Sequence, residues 1–292
     1  MEKSFPWGLG TALITPFDET GKVDFEALKR LLDIQIKGKV DYLVVLGTTG
    51  ETATLSEDEQ AEVRHFIADY TRKAQVPLVL GLGGNNTAAV IAKINALGYE
   101  LVANYRAILS VCPYYNKPSQ EGLFQHFCAI AEASPIPVIL YNVPGRTGVN
   151  LLPETVMRIY NAYPEKIIGV KEASGKLDQI KELIGLAKGS TLSVISGDDG
   201  LTAEIMRAGG AGLISVLSNA YPEEAGRLVR EADLRLQAAL EPLIGLLFKE
   251  GNPAGIKTVL AKKGVIRNYL RLPLVPNSPA VQQEIGLHLS AR

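Results

Sequence analysis

The stretch Ile167-Ile168-Gly169-Val170-Lys171-Glu172-Ala173-Ser174-Gly175 begins as a short apolar run and ends in a polar turn that contains glycine. Apolar runs of this length, bounded by turn residues, are typical of strands that are buried on both faces. Because side chains alternate along a strand, we expect Lys171 to share a face with Ile167 and Gly169. Gly169 would then leave open space beneath the amine. The stretch predicts a buried strand with a lysine at its carboxyl end.

Seven further apolar runs follow the same pattern, and amphipathic segments separate them. In chain order the eight runs span 9–14, 42–46, 78–82, 107–111, 138–141, 167–171, 192–196 and 212–216. Segments 24–37 and 56–73 have helical patterns, and the second begins with Ser56 and Glu59 at the spacing of a capping box. Eight alternations of strand and helix predict the α/β class and, within it, a TIM (β/α)8 barrel. A doubly wound sheet usually has fewer strands and a glycine-rich nucleotide turn after the first, which this chain lacks.

After about residue 232 the strand pattern stops. Three helical segments follow, at 234–249, 254–263 and 280–289, and a proline-containing connection at 272–277 joins the last two. Because about sixty residues of helix would form a thin core alone, we expect this extension to pack against the barrel or a neighbouring subunit. The predicted domains are therefore a catalytic barrel, residues 1–232, and a C-terminal helical extension, residues 233–292.

The charge balance and the composition exclude several classes of protein. Thirty basic against 31 acidic residues leave a formal charge of -1, so no global field would concentrate nucleic acid or anionic lipid. The two cysteines, Cys112 and Cys128, have neither zinc nor disulfide spacing, which is typical of a reducing compartment. Residues 1–7 lack the apolar core of a signal peptide, and no run approaches the roughly 20 apolar residues of a membrane helix. We expect a cytoplasmic protein that binds neither nucleic acid nor membrane.

The residues that follow the predicted strands matter most for function, because barrel enzymes have their active sites at the carboxyl ends of the strands. Gly47-Thr48-Thr49-Gly50-Glu51 follows the second run, and its hydroxyl and N–H groups can bind a carboxylate unless the motif is only a tight turn. Residues 112–118 follow the fourth run with two tyrosines, and residues 141–148 contain Tyr141 and Arg146. Tyrosine hydroxyls can relay protons and the arginine can hold a carboxylate, although loop tyrosines are often packing residues.

Lys171 is the candidate nucleophile. A lysine that is removed from water loses affinity for its proton, and the free amine can then attack a carbonyl group and form a Schiff base. The alternative is a surface lysine at a strand end. The polar loops predicted around it favour the nucleophile.

Other side chains fit catalytic or metal sites less well. Asp198 and Asp199 follow the seventh run, but no second acidic cluster ends another strand, so a role at a helix N-terminus is favoured over a metal site. None of the three histidines follows a predicted strand: they are His65, His126 and His288. This argues against a catalytic triad and a zinc site. A catalytic Cys112 would lack an activating histidine, and residues 81–86 match a dinucleotide motif poorly, so we expect no metal and no cofactor.

Taken in order, these motifs resemble the dihydrodipicolinate synthase family, whose wider group of Schiff-base aldolases includes the N-acetylneuraminate lyases. The resemblance rests on residues 47–51, 113–118, 141–148, 170–175 and 196–199, and it covers essentially the whole chain. It implies a barrel with a helical C-terminal extension that condenses pyruvate with L-aspartate-4-semialdehyde on the route to lysine and diaminopimelate. It also implies a lyase that needs no cofactor and is usually a homotetramer.

The resemblance also implies roles for individual residues. Lys171 would form the Schiff base with pyruvate, and Tyr141 would shuttle protons. Thr49 and Tyr115 would complete the proton relay, with Tyr115 reaching into the active site of a partner subunit. Tyr114 would lie at the interface of a tight dimer.

Substrate-binding roles follow from the same resemblance. Thr48 and Thr49 would bind the carboxylate of pyruvate, and Gly197 and Ile214 would line the pocket through their carbonyl groups. Arg146 would bind the carboxylate of the semialdehyde. N-acetylneuraminate lyases and keto-sugar aldolases generally lack this arginine, so it favours the synthase over a sugar-acid aldolase. A ligand-sensing barrel without catalysis is a third hypothesis, from another class.

One region departs from the family. Many members are inhibited by lysine through a pocket with a glutamate and histidines, and the corresponding positions here are Ala89, Glu57 and Gln60. Residues that could still line such a pocket are Thr52, Asn85 and Tyr114. Because a methyl group replaces the carboxylate that would pair with the ammonium group of lysine, we expect weak or absent feedback inhibition.

Overall fold

The fold is a closed barrel of eight parallel strands, seen in a computed structural model that describes residues 5–291. The strands are β1 (Leu9–Ala12), β2 (Tyr42–Val45), β3 (Leu78–Gly81), β4 (Ala107–Val111), β5 (Val138–Asn142), β6 (Ile167–Glu172), β7 (Ser193–Ser196) and β8 (Gly212–Ser215). Each pairs with the next in the chain, and β8 pairs with β1. All eight predicted runs form strands, so the predicted TIM barrel is confirmed. The ends of the predicted domains, residues 1 and 292, lie outside the described part.

Helices alternate with the strands and cover the outside of the barrel. Those up to the last strand are α1 (Phe25–Lys37), α2 (Glu57–Thr71), α3 (Thr87–Ala96), α4 (Gly98–Asn104), α5 (Gln120–Ala133), α6 (Pro144–Thr147), α7 (Pro153–Ala162), α8 (Leu177–Ala187) and α9 (Thr202–Arg207). The predicted capping box is present, since Ser56 accepts from the Glu59 backbone and Glu59 accepts from the Ser56 backbone. This fixes where α2 begins.

Two apolar layers follow from the alternation of the strand side chains. The inner layer faces the barrel axis and contains Ala12, Tyr42, Val44, Val79, Leu109, Ile139, Ile195 and Ile214. Phe5 and Trp7 precede β1 and pack against this layer, where the Phe5 ring meets the Tyr42 ring edge-on with centroids 5.2 Å apart. These aromatic side chains fill the amino end of the barrel and leave its carboxyl end to the polar loops.

The strand β6 does not alternate in the simple way that the sequence predicts. Val138 in β5 pairs with Ile167, but the following Ile139 pairs with Gly169, so Ile168 is an extra residue in β6. Such a bulge shifts the residues on one side of it to the opposite face. Ile167 therefore packs in the outer layer against the helices, and the prediction that it shares a face with the lysine is wrong.

The predicted open space beside Gly169 is also absent. A Cβ atom at Gly169 would lie 2.8 Å from a ring carbon of Trp7 and 2.9 Å from Cδ1 of Ile195. The glycine is therefore required because an indole and an isoleucine occupy this volume. Lys171 stands on a filled barrel core, and its free space lies toward the loops.

The extension begins after α10 (Pro222–Glu231) and contains α11 (Leu234–Phe248), α12 (Ala254–Lys262) and α13 (Pro279–Ser290). Helix α11 packs against α9 and against the turn Asp199–Leu201. Gln237 of α11 fixes this contact, because its amide accepts from the Ala203 backbone at 3.1 Å and donates to the Asp199 carbonyl at 2.9 Å. The expected packing of the extension on the barrel is thus confirmed. None of the helices in residues 5–291 has both the length and the apolar character to cross a membrane.

Candidate active site

Lys171 lies on the inner face of β6, level with Tyr141 of β5 and Ile195 of β7. Neighbouring side chains at the same level of a parallel barrel point the same way, and Nζ of Lys171 lies 4.3 Å from the centre of the Tyr141 ring. The lysine is 7% exposed. Within residues 5–291, neither a carboxylate nor a carbonyl oxygen forms a hydrogen bond with its amine. The arrangement leaves the nitrogen available to a ligand.

Gly197 directly follows β7, and Ile214 is the next-to-last residue of β8, so both lie near the carboxyl ends of the next two strands around the barrel. A Cβ atom at Gly197 would lie 3.0 Å from Cε of Lys171 and 2.6 Å from Cβ of Ala173, so only glycine gives the lysine this position. The Gly197 backbone is held by a hydrogen bond to the Glu172 carbonyl at 2.8 Å. Ile214 is buried on the inner face of β8. Both predicted pocket residues therefore belong to the inner wall of the barrel, with Gly197 in contact with the lysine.

The two threonines after β2 form one 3-10 turn, Thr48–Gly50, but their surroundings differ. Thr48 is exposed, whereas Thr49 is 3% exposed and its Oγ1 accepts a hydrogen bond from Nδ2 of Asn252 at 2.9 Å. The Thr15 hydroxyl donates to the Gly50 carbonyl at 2.7 Å and holds the turn against the loop after β1. The turn is thus fixed from two sides.

Arg146 lies in α6, the short helix after β5, and is exposed. One terminal nitrogen, Nη2, donates to the Asn252 carbonyl at 3.1 Å. The remaining guanidinium donors are left for a ligand such as a carboxylate. Asn252 therefore contacts both Thr49 and Arg146. Asn252 was not among the residues predicted from the ends of the strands, because it belongs to the turn between α11 and α12.

Tyr114 and Tyr115 lie in the loop after β4. Tyr115 is 90% exposed and its backbone has a φ of 74°, in the left-handed region that side chains rarely adopt. Its phenol therefore points away from the chain that carries it. The structure brings Tyr141 to Lys171 but does not bring Tyr115 there.

The three residues proposed for a lysine pocket form two separate groups, Asn85 with Tyr114 and Thr52 with Gln60, which occupies one of the aligned family positions. Nδ2 of Asn85 donates to the Tyr114 carbonyl at 3.2 Å, and Nε2 of Gln60 donates to the Thr52 carbonyl at 3.4 Å. Among the described residues, no hydrogen bond joins one pair to the other. Ala89 is exposed on α3, so no carboxylate stands at that position.

The aspartates after β7 hold the backbone rather than a ligand. Asp198 caps the turn Asp199–Leu201. The buried carboxylate of Asp199 accepts from the Ser215 hydroxyl and from the backbone of Val216 at 2.9 Å, and burial raises its pKa. The predicted role at a helix N-terminus is confirmed for Asp198. Over residues 5–291, no three histidine, cysteine or acidic side chains come together as metal ligands would.

Cys112 and His126 are unsuited to catalysis. Burial raises the pKa of the Cys112 thiol, so it is not a nucleophile near neutral pH. His126 is buried in α5 and its Nδ1 is 2.8 Å from the Thr87 hydroxyl. Burial lowers the pKa of His126 to about 4, which keeps the ring neutral. Both are packing residues.

Two buried acidic residues lie within the predicted motifs, and the sequence alone does not assign them a role. Glu172 follows Lys171 on the outer face of β6 and accepts hydrogen bonds from Nδ2 of Asn142 at 3.0 Å and from the Ser174 backbone at 2.7 Å. Burial raises its pKa, while these hydrogen bonds oppose the rise. Glu51 ends the threonine turn and forms an ion pair with Lys257 of α12. Both hold loops of the site in place.

Comparisons with known proteins agree on one family. A model described as the dihydrodipicolinate synthetase family matches residues 6–292. The chain is 47% identical over 285 residues to the 4-hydroxy-tetrahydrodipicolinate synthase of Parabacteroides distasonis, covering 95% of this chain and 94% of that relative. It is 48% identical over 287 residues to the enzyme of the same name from Flavobacterium psychrophilum, covering 96% of each. The solved dihydrodipicolinate synthase of Thermotoga maritima superposes with a TM-score of 0.92 at 36% identity over 98% of both chains.

Proposed function

The chain belongs to the dihydrodipicolinate synthetase family, and from that premise we propose that Lys171 is the lysine that binds pyruvate as a Schiff base. The activity is that of a 4-hydroxy-tetrahydrodipicolinate synthase, a lyase of lysine and diaminopimelate biosynthesis that joins pyruvate to L-aspartate-4-semialdehyde. The observation that supports the role of Lys171 is its buried amine, which lies over the Tyr141 ring without a carboxylate partner in residues 5–291.

The chemistry follows from an amine in this position. The neutral nitrogen attacks the pyruvate carbonyl to form a carbinolamine, whose hydroxyl group takes up a proton from the relay and leaves as water, so that a protonated imine forms. The imine draws electrons from the methyl group, which loses a proton and becomes an enamine, and the enamine carbon attacks the aldehyde of the semialdehyde. The Tyr141 ring lies beside the lysine nitrogen, and its hydroxyl is the group that we propose moves protons there. Thr49 and the Tyr115 of a partner subunit complete the relay.

The substrates are held by the loops around the lysine. Thr48 and Thr49 bind the pyruvate carboxylate, and Gly197 and Ile214 line the pocket beside the amine. Arg146 binds the carboxylate of the semialdehyde with the donors that Asn252 leaves free.

The assembly that we propose is a homotetramer built from tight dimers in the cytoplasm. The exposure of Tyr115, at 90%, supports this, because a relay tyrosine that points away from its own chain can serve a neighbour. In the proposed domain organisation, the barrel, residues 1–232, is catalytic, and the extension, residues 233–292, supports it. The reaction requires neither a metal nor a cofactor, because the imine itself is the electron sink.

The central experiment is to add pyruvate and borohydride and to locate the reduced adduct by peptide mass spectrometry. The adduct is expected on Lys171. An adduct on another lysine would contradict the assigned nucleophile. Pyruvate binding with no adduct would instead indicate a ligand sensor, and turnover of a keto-sugar in place of the semialdehyde would indicate a sugar-acid aldolase.

Arg146→Ala tests the assigned semialdehyde site. We expect the KM for the semialdehyde to rise about 100-fold or more while the KM for pyruvate changes much less, because only the semialdehyde carboxylate loses its partner. A matched control is Arg158→Ala, which removes an exposed arginine paired with Glu121 on the outer surface. Equal losses for the two substrates would refute the assignment.

Feedback inhibition is expected to be weak or absent. Ala89 offers no carboxylate to the ammonium group of a lysine ligand, and an ammonium without a partner binds weakly. An assay of initial rates against added lysine checks this. Strong inhibition at low lysine concentrations would overturn it.

A further inference from the structure

Asn252 is the only residue of the helical extension that forms hydrogen bonds with two of the proposed site residues within residues 5–291. It lies in the turn between α11 and α12 and is 7% exposed. Its side-chain Nδ2 donates to Oγ1 of Thr49 at 2.9 Å, and its backbone carbonyl accepts from Nη2 of Arg146 at 3.1 Å. Thr49 is 203 residues away in the chain, so this contact is made by the fold and not by local structure.

The hydrogen bonds define which way the amide of Asn252 points. With Nδ2 on the threonine, the Oδ1 atom is buried without a hydrogen-bond partner in the described part of the chain. The flipped amide would instead bury an NH2 group with two unused donors. A buried carbonyl oxygen that lacks a partner is better tolerated than buried N–H donors that lack one. The donor therefore faces Thr49.

The direction of this hydrogen bond restricts what the Thr49 hydroxyl can do. A hydroxyl has one proton to donate and two lone pairs that accept. The Asn252 amide occupies one lone pair, and no other side chain or backbone group of residues 5–291 accepts the hydroxyl proton. That proton is left to point away from Asn252.

We propose that Asn252 is a positioning residue that fixes the direction in which Thr49 donates its proton in the relay. Asn252 can only donate to Thr49 in this orientation, so the Thr49 proton is left to donate onward, and in the proposed relay its acceptor is a phenol oxygen. A phenol oxygen that receives a hydrogen bond is stabilised as the phenolate, the form that accepts a proton from the substrate. The inference rests on the proposed function, because it requires Thr49 to belong to the relay.

The test measures exchange of the pyruvate methyl protons in D2O by NMR, with pyruvate as the only substrate. This half-reaction needs the lysine and the relay, but it involves no semialdehyde and so no carboxylate at Arg146. Asn252→Ala removes the donor and is expected to slow exchange about tenfold. Asn252→Asp retains the shape but offers only acceptors, so Thr49 donates backward, and exchange is expected to slow about 100-fold. The Asp variant should partly recover as the pH falls, because a protonated carboxyl can donate again.

The order of the two variants distinguishes positioning from simple packing. A packing residue would tolerate aspartate better than alanine, because aspartate fills the same volume. Exchange in Asn252→Asp that is as fast as in Asn252→Ala, or faster, would overturn the inference. If the Asp variant does not fold, Asn252→Ala decides the matter in a Thr49→Val background. In that background Asn252→Ala should slow exchange less than twofold, and a full tenfold loss of the exchange rate would overturn the inference.

A matched control is available within the same extension. Asn268 also donates through Nδ2 to a threonine hydroxyl, that of Thr258 at 3.3 Å, and its Oδ1 is also buried without a partner in residues 5–291. Asn268→Asp should leave the exchange rate unchanged, and an equal loss there would count against the inference. If the wild-type protein itself fails to exchange the methyl protons, the proposed function fails. If it exchanges them but the variants fall in the opposite order, only the role of Asn252 fails.

Discussion

Lys171 and Lys257 are two buried lysines whose amines each lie over an aromatic ring, but the regions around them differ. Nζ of Lys171 is 4.3 Å from the centre of the Tyr141 ring at the carboxyl end of the barrel. Nζ of Lys257 is 4.2 Å from the centre of the Phe17 ring, beneath the extension. The Lys171 amine has no acceptor in residues 5–291, whereas the Lys257 amine donates to two oxygen atoms there, one of Glu51 and one of Tyr269.

The surroundings of Lys257 form a closed network of charges and hydrogen bonds. Its amine pairs with the Glu51 carboxylate and donates to the Tyr269 carbonyl at 3.0 Å. The Arg271 backbone donates to the second oxygen of Glu51 at 3.1 Å, and the Arg271 guanidinium forms hydrogen bonds with the Glu59 carboxylate. Burial lowers the pKa of Lys257 to about 8, while the charge of Glu51 opposes this. The network joins the extension to the loop that carries Thr49.

The difference shows how a buried lysine can be assigned to structure or to chemistry. An amine whose hydrogen bonds are satisfied by carboxylate and carbonyl oxygens has no capacity left to react and serves to hold segments together. A buried amine that has no acceptor in the protein is not held by other groups, and it remains available to a substrate carbonyl. Loss of Lys171 should therefore affect the rate, and loss of Lys257 should affect the free energy of unfolding.

Lys171→Ala should have the largest effect of all. We expect turnover to fall by at least about 1000-fold because Lys171 is the one lysine in the eight strands of residues 5–291, while the free energy of unfolding changes by less than about 1 kcal/mol. A steady-state assay and urea unfolding check the two halves of the prediction. Unfolding at much lower urea would show that Lys171 also holds the barrel together, and the contrast with Lys257 would then disappear.

Lys257→Met should destabilise the fold by about 3 to 5 kcal/mol, because it leaves the buried Glu51 carboxylate without its partner. Urea unfolding measures this. The double variant Glu51→Gln with Lys257→Met is the control, since it removes both charges and should recover much of the loss. A single variant as stable as the wild type would show that the network contributes nothing to stability.

Gly197→Ala should reduce the rate less than the loss of Lys171 does. It acts by displacing the Lys171 side chain. The new Cβ would lie 3.0 Å from Cε of Lys171 and 2.6 Å from Cβ of Ala173, so the lysine must move. We expect kcat/KM for pyruvate to fall roughly 10- to 100-fold, a cost of about 1 to 3 kcal/mol that is typical of overpacking. Gly185→Ala is the control, because a Cβ at this position in α8 meets nothing within 4 Å. Equal rates for the two variants would contradict a tight fit at Lys171.

The sequence predicts the barrel and the lysine at the end of β6, but it does not predict a role for Lys257 or the details of the packing. The eight strands are visible because parallel strands buried on both faces are almost continuously apolar. The bulge at Ile168 is not visible, since one inserted residue in an apolar run changes no residue type, and Ile167 was therefore placed on the wrong face. The filling of the space beside Gly169 depends on Trp7, which is far away in the chain. Such contacts are set by packing and leave no local pattern.

Most residues of the proposed site can be predicted from the ends of the strands. The residue that the extension contributes, Asn252, cannot. Lys171, Tyr141 and Gly197 meet because adjacent parallel strands bring their ends together. Asn252 follows no strand, and its contact with Thr49 joins residues 203 positions apart. The rule that reads strand ends therefore finds the residues of the barrel and overlooks their partners from elsewhere.

The smallest predicted effect concerns the outer edge of the Lys257 network, where Arg271 pairs with the partly exposed Glu59. The Arg271 hydrogen bond lowers the pKa of Glu59 from 4.5 to about 2. A lowered carboxyl pKa stabilises the fold above pH 4.5, and this stabilisation is lost as the pH falls through about 2. Glu59→Gln keeps the hydrogen bonds of the capping box but cannot titrate. We expect it to lower stability at pH 7 by about 1 kcal/mol or less, because solvent screens the pair.

The pH dependence separates this pair from an ordinary surface pair. Urea unfolding at pH 7 and pH 3 should show that Glu59→Gln loses less stability on acidification than the wild type does. Asp69→Asn is the control, since Asp69 and Arg72 form an exposed ion pair at 2.8 Å that should contribute a few tenths of a kcal/mol. If both variants respond alike, Arg271 is a surface charge like Arg72. The network of Lys257 would then end at Glu51, and the buried ion pair of Lys257 and Glu51 would be its one stabilising contact between charged side chains within residues 5–291.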